Sequence, residues 1–135
     1  MRKILFTVCI LFIMLFTTAC DEEKPGILFN KYPITIDTVM GHEQVFERGT
    51  RIYYLVVMPQ KIHSRFMYLQ IVKKDNDYGR LGYKVYYGKD IRLKDEQVYY
   101  YDDYIVINQP GDYVMQVFSR DNPRTPLTMN EFWVK

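Results

Sequence analysis

Side chains that carry catalytic chemistry are scarce in this chain. Its 135 residues include two cysteines, two histidines and two serines, Ser64 and Ser119. Nucleophilic hydrolysis needs a serine or cysteine beside a histidine that an acid holds in place. Neither serine stands in a Gly-x-Ser-x-Gly turn. Ser64 directly follows His63, and on an extended chain adjacent side chains point to opposite faces. His42 and His63 do not have the spacing of zinc ligands. The carboxylates Asp102, Asp103, Asp112 and Glu131 would form a glycosidase pair only if the fold happened to set two of them across a cleft. No glycine-rich phosphate loop is present, so the expectation is a protein that is not an enzyme and holds no cofactor.

A charge excess is missing as well. The formal net charge of +2 comes from 18 basic and 16 acidic residues, and the surplus is Arg2 and Lys3. From residue 20 onward the two signs balance. Phosphate recognition needs a basic footprint, so nucleic acid is excluded as a partner. The overall balance likewise gives no reason for the chain to adhere to anionic lipid.

Disulfides are not expected. Cys9 lies in an apolar run near the start, and Cys20 has a different use described below. Stability must therefore come from a hydrophobic core. Also absent is any stretch of ten or more residues with apolar side chains at helical spacing and caps at its ends. In its place are thirteen tyrosines and eight phenylalanines, residues that favour strands and suit interaction surfaces.

The apolar run Ile4 to Phe16 follows Arg2 and Lys3 and is interrupted only by Thr7. It is too short for a membrane-spanning helix, which needs about 20 apolar residues, but it has the dimensions of a signal-peptide core. It ends in Thr17-Thr18-Ala19-Cys20. Small residues before a cysteine in this position resemble the lipobox of bacterial lipoproteins, with Thr17 where leucine is usual. The resemblance implies cleavage of residues 1–19, acylation of Cys20 and stable attachment to a membrane by its acyl chains. The acidic run Asp21, Glu22 and Glu23 resembles two known sorting signals: surface export in Bacteroidota lipoproteins and inner-membrane retention in enteric bacteria. The expected address is the outer membrane. Residues 20–26 are then a tether, and residues 27–135 a single domain.

Within that domain short strand-like runs alternate with turn residues. Ile34 to Val39 alternates with period two, as does Phe66 to Val72, where Met67, Leu69 and Ile71 share one face. Arg51 to Met58 is apolar on both faces, which predicts a central strand ended by Pro59. Lys73 to Gly82 predicts a hairpin loop leading to a strand over Tyr83 to Tyr87. Val98 to Tyr101 and Tyr104 to Asn108 predict two strands, or one bent strand, divided at Asp102-Asp103. Tyr113 to Ser119 and Leu127 to Val134 complete the set, with a bulge expected near Asn130. Pro110-Gly111-Asp112-Tyr113 resembles the lead-in to the penultimate strand of immunoglobulin-like sandwiches, where a tyrosine turns its hydroxyl back onto the corner backbone. The expected fold is all-β: an antiparallel two-sheet sandwich, immunoglobulin-like, of seven to eight strands.

Two segments stand out as sites. Asp75-Asn76-Asp77-Tyr78-Gly79 has part of a calcium-loop pattern, with Asp75 and Asp77 as ligands, but lacks the glutamate such a loop requires. A hairpin turn explains the same residues, and no metal is expected. Tyr99-Tyr100-Tyr101-Asp102-Asp103-Tyr104 must turn at least one ring outward if it is a strand. Together with Trp133, and with Tyr68, Tyr86 or Tyr87, these rings form a candidate contact patch. The expected function is a lipid-anchored structural or accessory part of an envelope protein complex, such as a secretion, motility or pilus machine. The alternative is a module that binds a small ligand such as a glycan or peptidoglycan fragment, or that inhibits an extracytoplasmic enzyme.

Overall fold

A computed structural model describes residues 24–59, 64–74 and 82–135. Eight strands make up the fold: β1 (Gly26–Asn30), β2 (Val45–Phe46), β3 (Arg51–Val57), β4 (Phe66–Lys74), β5 (Tyr83–Arg92), β6 (Tyr100–Val106), β7 (Gly111–Ser119) and β8 (Thr128–Val134). They form a three-stranded sheet in the order β1-β3-β6 and a five-stranded sheet in the order β2-β8-β7-β4-β5. Short strands, turn residues between them and a two-sided core give a β-sandwich. The orders β1-β3-β6 and β8-β7-β4-β5 follow the A-B-E and G-F-C-C′ orders of the immunoglobulin-like arrangement, with β2 added beside β8. The pairing is antiparallel except between β2 and β8, which run parallel.

The core lies where alternating side chains of the two sheets meet. Phe29, Ile52, Tyr54 and Val56 from the smaller sheet face Leu69, Ile71, Met115, Val117 and Phe132 from the larger one, all of them buried. Each such apolar side chain contributes roughly 1.5–3 kcal/mol by leaving water. β3 is the central strand of its sheet, between β1 and β6, as its two apolar faces predicted. Met67, Leu69 and Ile71 point into the core together.

Tyr113 makes the corner contact that the Pro110-Gly111-Asp112-Tyr113 lead-in predicted. Its buried ring stacks on Phe132 at 5.6 Å, and its hydroxyl donates to the Gln109 carbonyl at 2.6 Å. Burial, helped by nearby Tyr86, pushes the Tyr113 hydroxyl pKa up to about 12. It therefore stays a hydrogen-bond donor at neutral pH.

Several expectations need correction. Ile34 to Val39 is not a strand: residues 36–40 form turns, and Ile36 is 93% exposed. Local hydrogen bonds capture the segment, because the Thr38 hydroxyl accepts from Thr35 N–H at 2.8 Å and donates to the Pro33 carbonyl at 2.8 Å. Threonine side chains compete with sheet pairing in this way. β1, which Gly26 opens immediately after Lys24-Pro25, was not anticipated. Asp102-Asp103 does not divide β6, which pairs with β3 without interruption. β8 has no bulge at Asn130, whose amide instead donates to the Ile27 carbonyl at 2.8 Å and ties the two sheets together. The register shift lies between Ile71 and Val72 in the β4–β5 ladder. Lys73 and Lys74 belong to β4 rather than to the loop that follows.

Candidate functional site

The tyrosine-rich segment forms an outer strand of the smaller sheet, and the pleat sorts its side chains. Ile105 is buried, so Asp103 and Tyr101 share its inward face, while Tyr100, Asp102 and Tyr104 face outward. Tyr99 lies just before the strand and is exposed. Tyr104 sits opposite Tyr53 on β3, with ring centroids 5.7 Å apart. The Arg51 guanidinium lies 4.7 Å from the Tyr104 centroid. Cations over aromatic faces are favoured in this way.

The end strand of the larger sheet, β5, completes the site. It is exposed over most of its length, with Tyr83, Val85, Tyr86 and Tyr87 open to solvent. The register shift leaves Tyr86 as the extra residue between Val85 and Tyr87. Such a bulge re-aims neighbouring side chains. The Tyr86 ring then meets the buried Tyr113 edge-on at 5.3 Å. Between the two outer strands opens a cleft of about 220 Å³ lined by Ile71, Tyr86, Tyr87, Tyr104, Ile105, Val106 and Ile107. A second hollow of about 240 Å³ lies where Pro33 and Ile34 fold back beside Tyr53, Asp102 and Tyr104.

Beyond the cleft one ionic cluster holds β5 to β6. Lys89 Nζ lies 2.7 Å from Asp103 Oδ2 and donates to the Tyr101 hydroxyl at 3.2 Å. That hydroxyl donates onward to Asp103 Oδ2 at 3.1 Å. The Tyr101 ring lies 6.2 Å from that of Tyr54 in the core. The hydrogen bond to Asp103 raises the Lys89 pKa, against a smaller cost of burial. Burial pushes Asp103 upward, but Lys89 and the Tyr104 N–H outweigh it and its pKa ends below the ordinary value. Burial raises Tyr101, which the Lys89 hydrogen bond only partly offsets. All three shifts move away from neutrality. That is the behaviour of a fixed ion pair rather than of a poised acid or base.

Other sequence-derived candidates fall elsewhere. Trp133 is on β8 between buried Phe132 and Val134, so it faces outward from the larger sheet, across the sandwich from Tyr100 and Tyr104. Asp112 and Glu131 do approach each other, but only around Lys74, at 3.5 and 2.9 Å from its ammonium. His42 accepts from the Phe29 N–H at 3.4 Å, while Glu43 pairs with Lys31 at 2.8 Å. The Ser64 hydroxyl accepts from Phe66 N–H at 3.2 Å, and Ser119 is buried. Among the described residues no group of acidic, histidine or cysteine side chains is arranged to hold a metal. Cys20, Asp21, Glu22, Glu23, His63, Asp75 and Asp77 lie outside the described residues.

Lys89 was missed in the sequence. Its signal was available, because alternation from Ile91 puts Lys89 on the inward face of the strand. An inward-pointing lysine is one of the devices that protect an edge strand. No protein-family model matches the chain, and no curated protein matches it.

Proposed function

We propose that this chain is a lipid-anchored envelope protein, held at the outer membrane through acylated Cys20. In this reading it is an accessory part of a larger membrane-associated machine of the secretion, motility or pilus type. The β5–β6 flank makes the protein contact. The observation that carries the reading is the concentration of Tyr83, Tyr86, Tyr87 and Tyr104, all exposed, on the two outer strands beside a cleft. Tyrosine suits such a surface because it brings large contact area with a polar tip at low entropic cost. A free strand edge adds main-chain donors and acceptors that a partner strand can satisfy. The chain acts by binding and not by catalysis.

The cleft favours a second reading. A volume of about 220 Å³ walled by isoleucines and tyrosines suits one bulky side chain or a single sugar ring stacked on tyrosine. A small glycan or peptidoglycan fragment, or a loop of an inhibited enzyme, would fit there.

The test is crosslinking in the native envelope and capture on a C-terminal tag, with wild type set beside Cys20→Ser and Tyr87→Ala. The expected result is one large membrane complex, reduced by either substitution. A wild-type chain that captures no complex but is thermally stabilised by a soluble glycan would replace the first reading with the second.

A further inference from the structure

The tether and the sheets meet at one pole of the sandwich. There Gly26, which opens β1, lies opposite Val57, and Val57 lies opposite Tyr100. β4 starts at this same pole, paired through Phe66 with Arg92 at the end of β5. Lys89, three residues before Arg92, bonds Tyr101 and Asp103 just after Tyr100 and so sets the two sheets' ends side by side. Main-chain bonds close the ends within each sheet: Leu93 N–H to the Arg65 carbonyl at 2.8 Å, Arg120 N–H to the Phe66 carbonyl at 3.0 Å and Met58 N–H to the Tyr99 carbonyl at 2.7 Å.

Phe66, Tyr99 and Tyr100 are all exposed here. The guanidinium groups of Arg92 and Arg120 each lie 5.8 Å from the Phe66 ring centroid. Exposed Arg65, Lys94 and Arg124 add positive charge, against exposed Asp95, Glu96 and Asp121. Arg65 is paired with Asp95, and once the tether's Lys24, Asp21, Glu22 and Glu23 are counted the signs at this pole balance, six to six. Arg92 and Arg120 therefore stand as a local cluster around Phe66 and not as part of a net positive field. Rings flanked by guanidinium groups are the chemistry of a bilayer boundary. The rings settle at headgroup level, the stems lie along apolar surface and the cations meet phosphates.

The length of chain before the fold points to the same surface. Five residues lie between Cys20 and Gly26, a reach of at most about 20 Å. The sandwich measures roughly 33 Å along the ten residues of β5. An anchor at Cys20 thus brings the near pole to the membrane more readily than the far one. It also raises the local concentration so that a weak surface contact suffices.

The geometry points to docking of the Phe66–Tyr99–Tyr100 pole on a phospholipid bilayer surface, with Arg92, Arg120 and Arg124 against lipid phosphates. This rests on the Cys20 anchor and deepens it, because it names the face turned toward the bilayer.

The experiment uses the full chain purified from its native envelope. It is placed in phosphatidylcholine vesicles with brominated acyl chains, with or without phosphatidylglycerol. Trp133, the sole tryptophan, lies near the far end of β8 opposite Asp112 and serves as the internal reference. Tyr99→Trp in a Trp133→Phe background reports on the pole. The expected result is bromine quenching of Tyr99→Trp in both kinds of vesicle, with Trp133 unquenched. Arg124→Glu should cut that quenching severalfold.

If protein with acylated Cys20 by mass floats with the vesicles, yet Tyr99→Trp is unquenched, the docking is overturned and the anchor stands. Quenching left undiminished by Arg124→Glu would overturn the phosphate contact. A chain that neither carries acyl groups nor floats overturns both.

Discussion

Along one flank of the sandwich, where β1 faces β2 and β8, the main chain itself bridges the sheets. The segment before β2 donates from Glu43 N–H to the Phe29 carbonyl at 2.9 Å, while its Gln44 and Phe46 carbonyls accept from Trp133 and Lys135 at 2.7 and 3.0 Å. Beneath it Phe29, Phe46 and Phe132 pack with centroids 4.9–6.4 Å apart. Along the opposite flank β5 and β6 are the terminal strands of their sheets. Among the described residues they are joined there by the Lys89, Tyr101 and Asp103 side chains. The rest of that flank is the tyrosine-lined cleft. A flank sealed by backbone and phenylalanine is committed to stability. One held by a half-exposed ion pair leaves edges and rings available to a partner, at the low-stability end of the molecule.

Substitutions should divide along this line. Phe132→Ala, in the sealed flank, is expected to cost about 3–5 kcal/mol, read as a lowered midpoint of denaturant unfolding for the whole domain. A loss confined to a few amides would break the comparison. Lys89→Met is expected to cost about 1 kcal/mol, because the pair is only partly buried. Its effect should be local: faster amide exchange in β5 and β6, with β1 and β8 unchanged. Adding Asp103→Leu to Lys89→Met should restore most of that loss, since no unpaired carboxylate then remains.

The Lys89–Asp103 pair also sets a pH window for the open flank. Asp103 is held below its ordinary pKa of 3.8. Its contribution is therefore complete above that value and lost as pH falls through the lowered folded one. Lys89 is raised above its ordinary 10.5, so its share is complete below that value and lost as pH climbs through the raised one. Amide exchange in β5 and β6 should accelerate selectively in acid, and Asp103→Asn should remove that acid sensitivity. The smallest effect is expected at Gly88, where an added Cβ would press on the Tyr68 hydroxyl. Tyr68 is exposed and its ring can swing aside, so Gly88→Ala should cost only about 0.5 kcal/mol, visible as a changed ring environment by NMR.

The sequence made these flanks legible to different degrees, for physical reasons. Alternation at Met67, Leu69 and Ile71, the two-faced run of β3 and the corner tyrosine are local signals, and each survives in the fold. Asn130 and Asp103 were misjudged because what keeps them within strands is tertiary: the Ile27 carbonyl for one and Lys89 for the other. Ile34 to Val39 had the right period but lost to hydroxyl bonds formed within its own segment. Of the aromatic segment, Tyr99, Tyr100 and Tyr104 are exposed, but alternation along a single strand does not reveal how the rest are placed. The pleat turns Tyr101 inward and puts Trp133 on the opposite face, while the shift at Tyr86 brings that ring against Tyr113.

The most direct test of the open flank as the contact surface is site-specific photocrosslinking in the native envelope. A photoreactive residue at Tyr87 would be set against one at Val45 on the sealed flank, since the two are similarly exposed, at 41% and 45%. The account predicts a discrete high-mass adduct from position 87 and none from position 45. Adducts from position 45 alone, or equally from both, would contradict it.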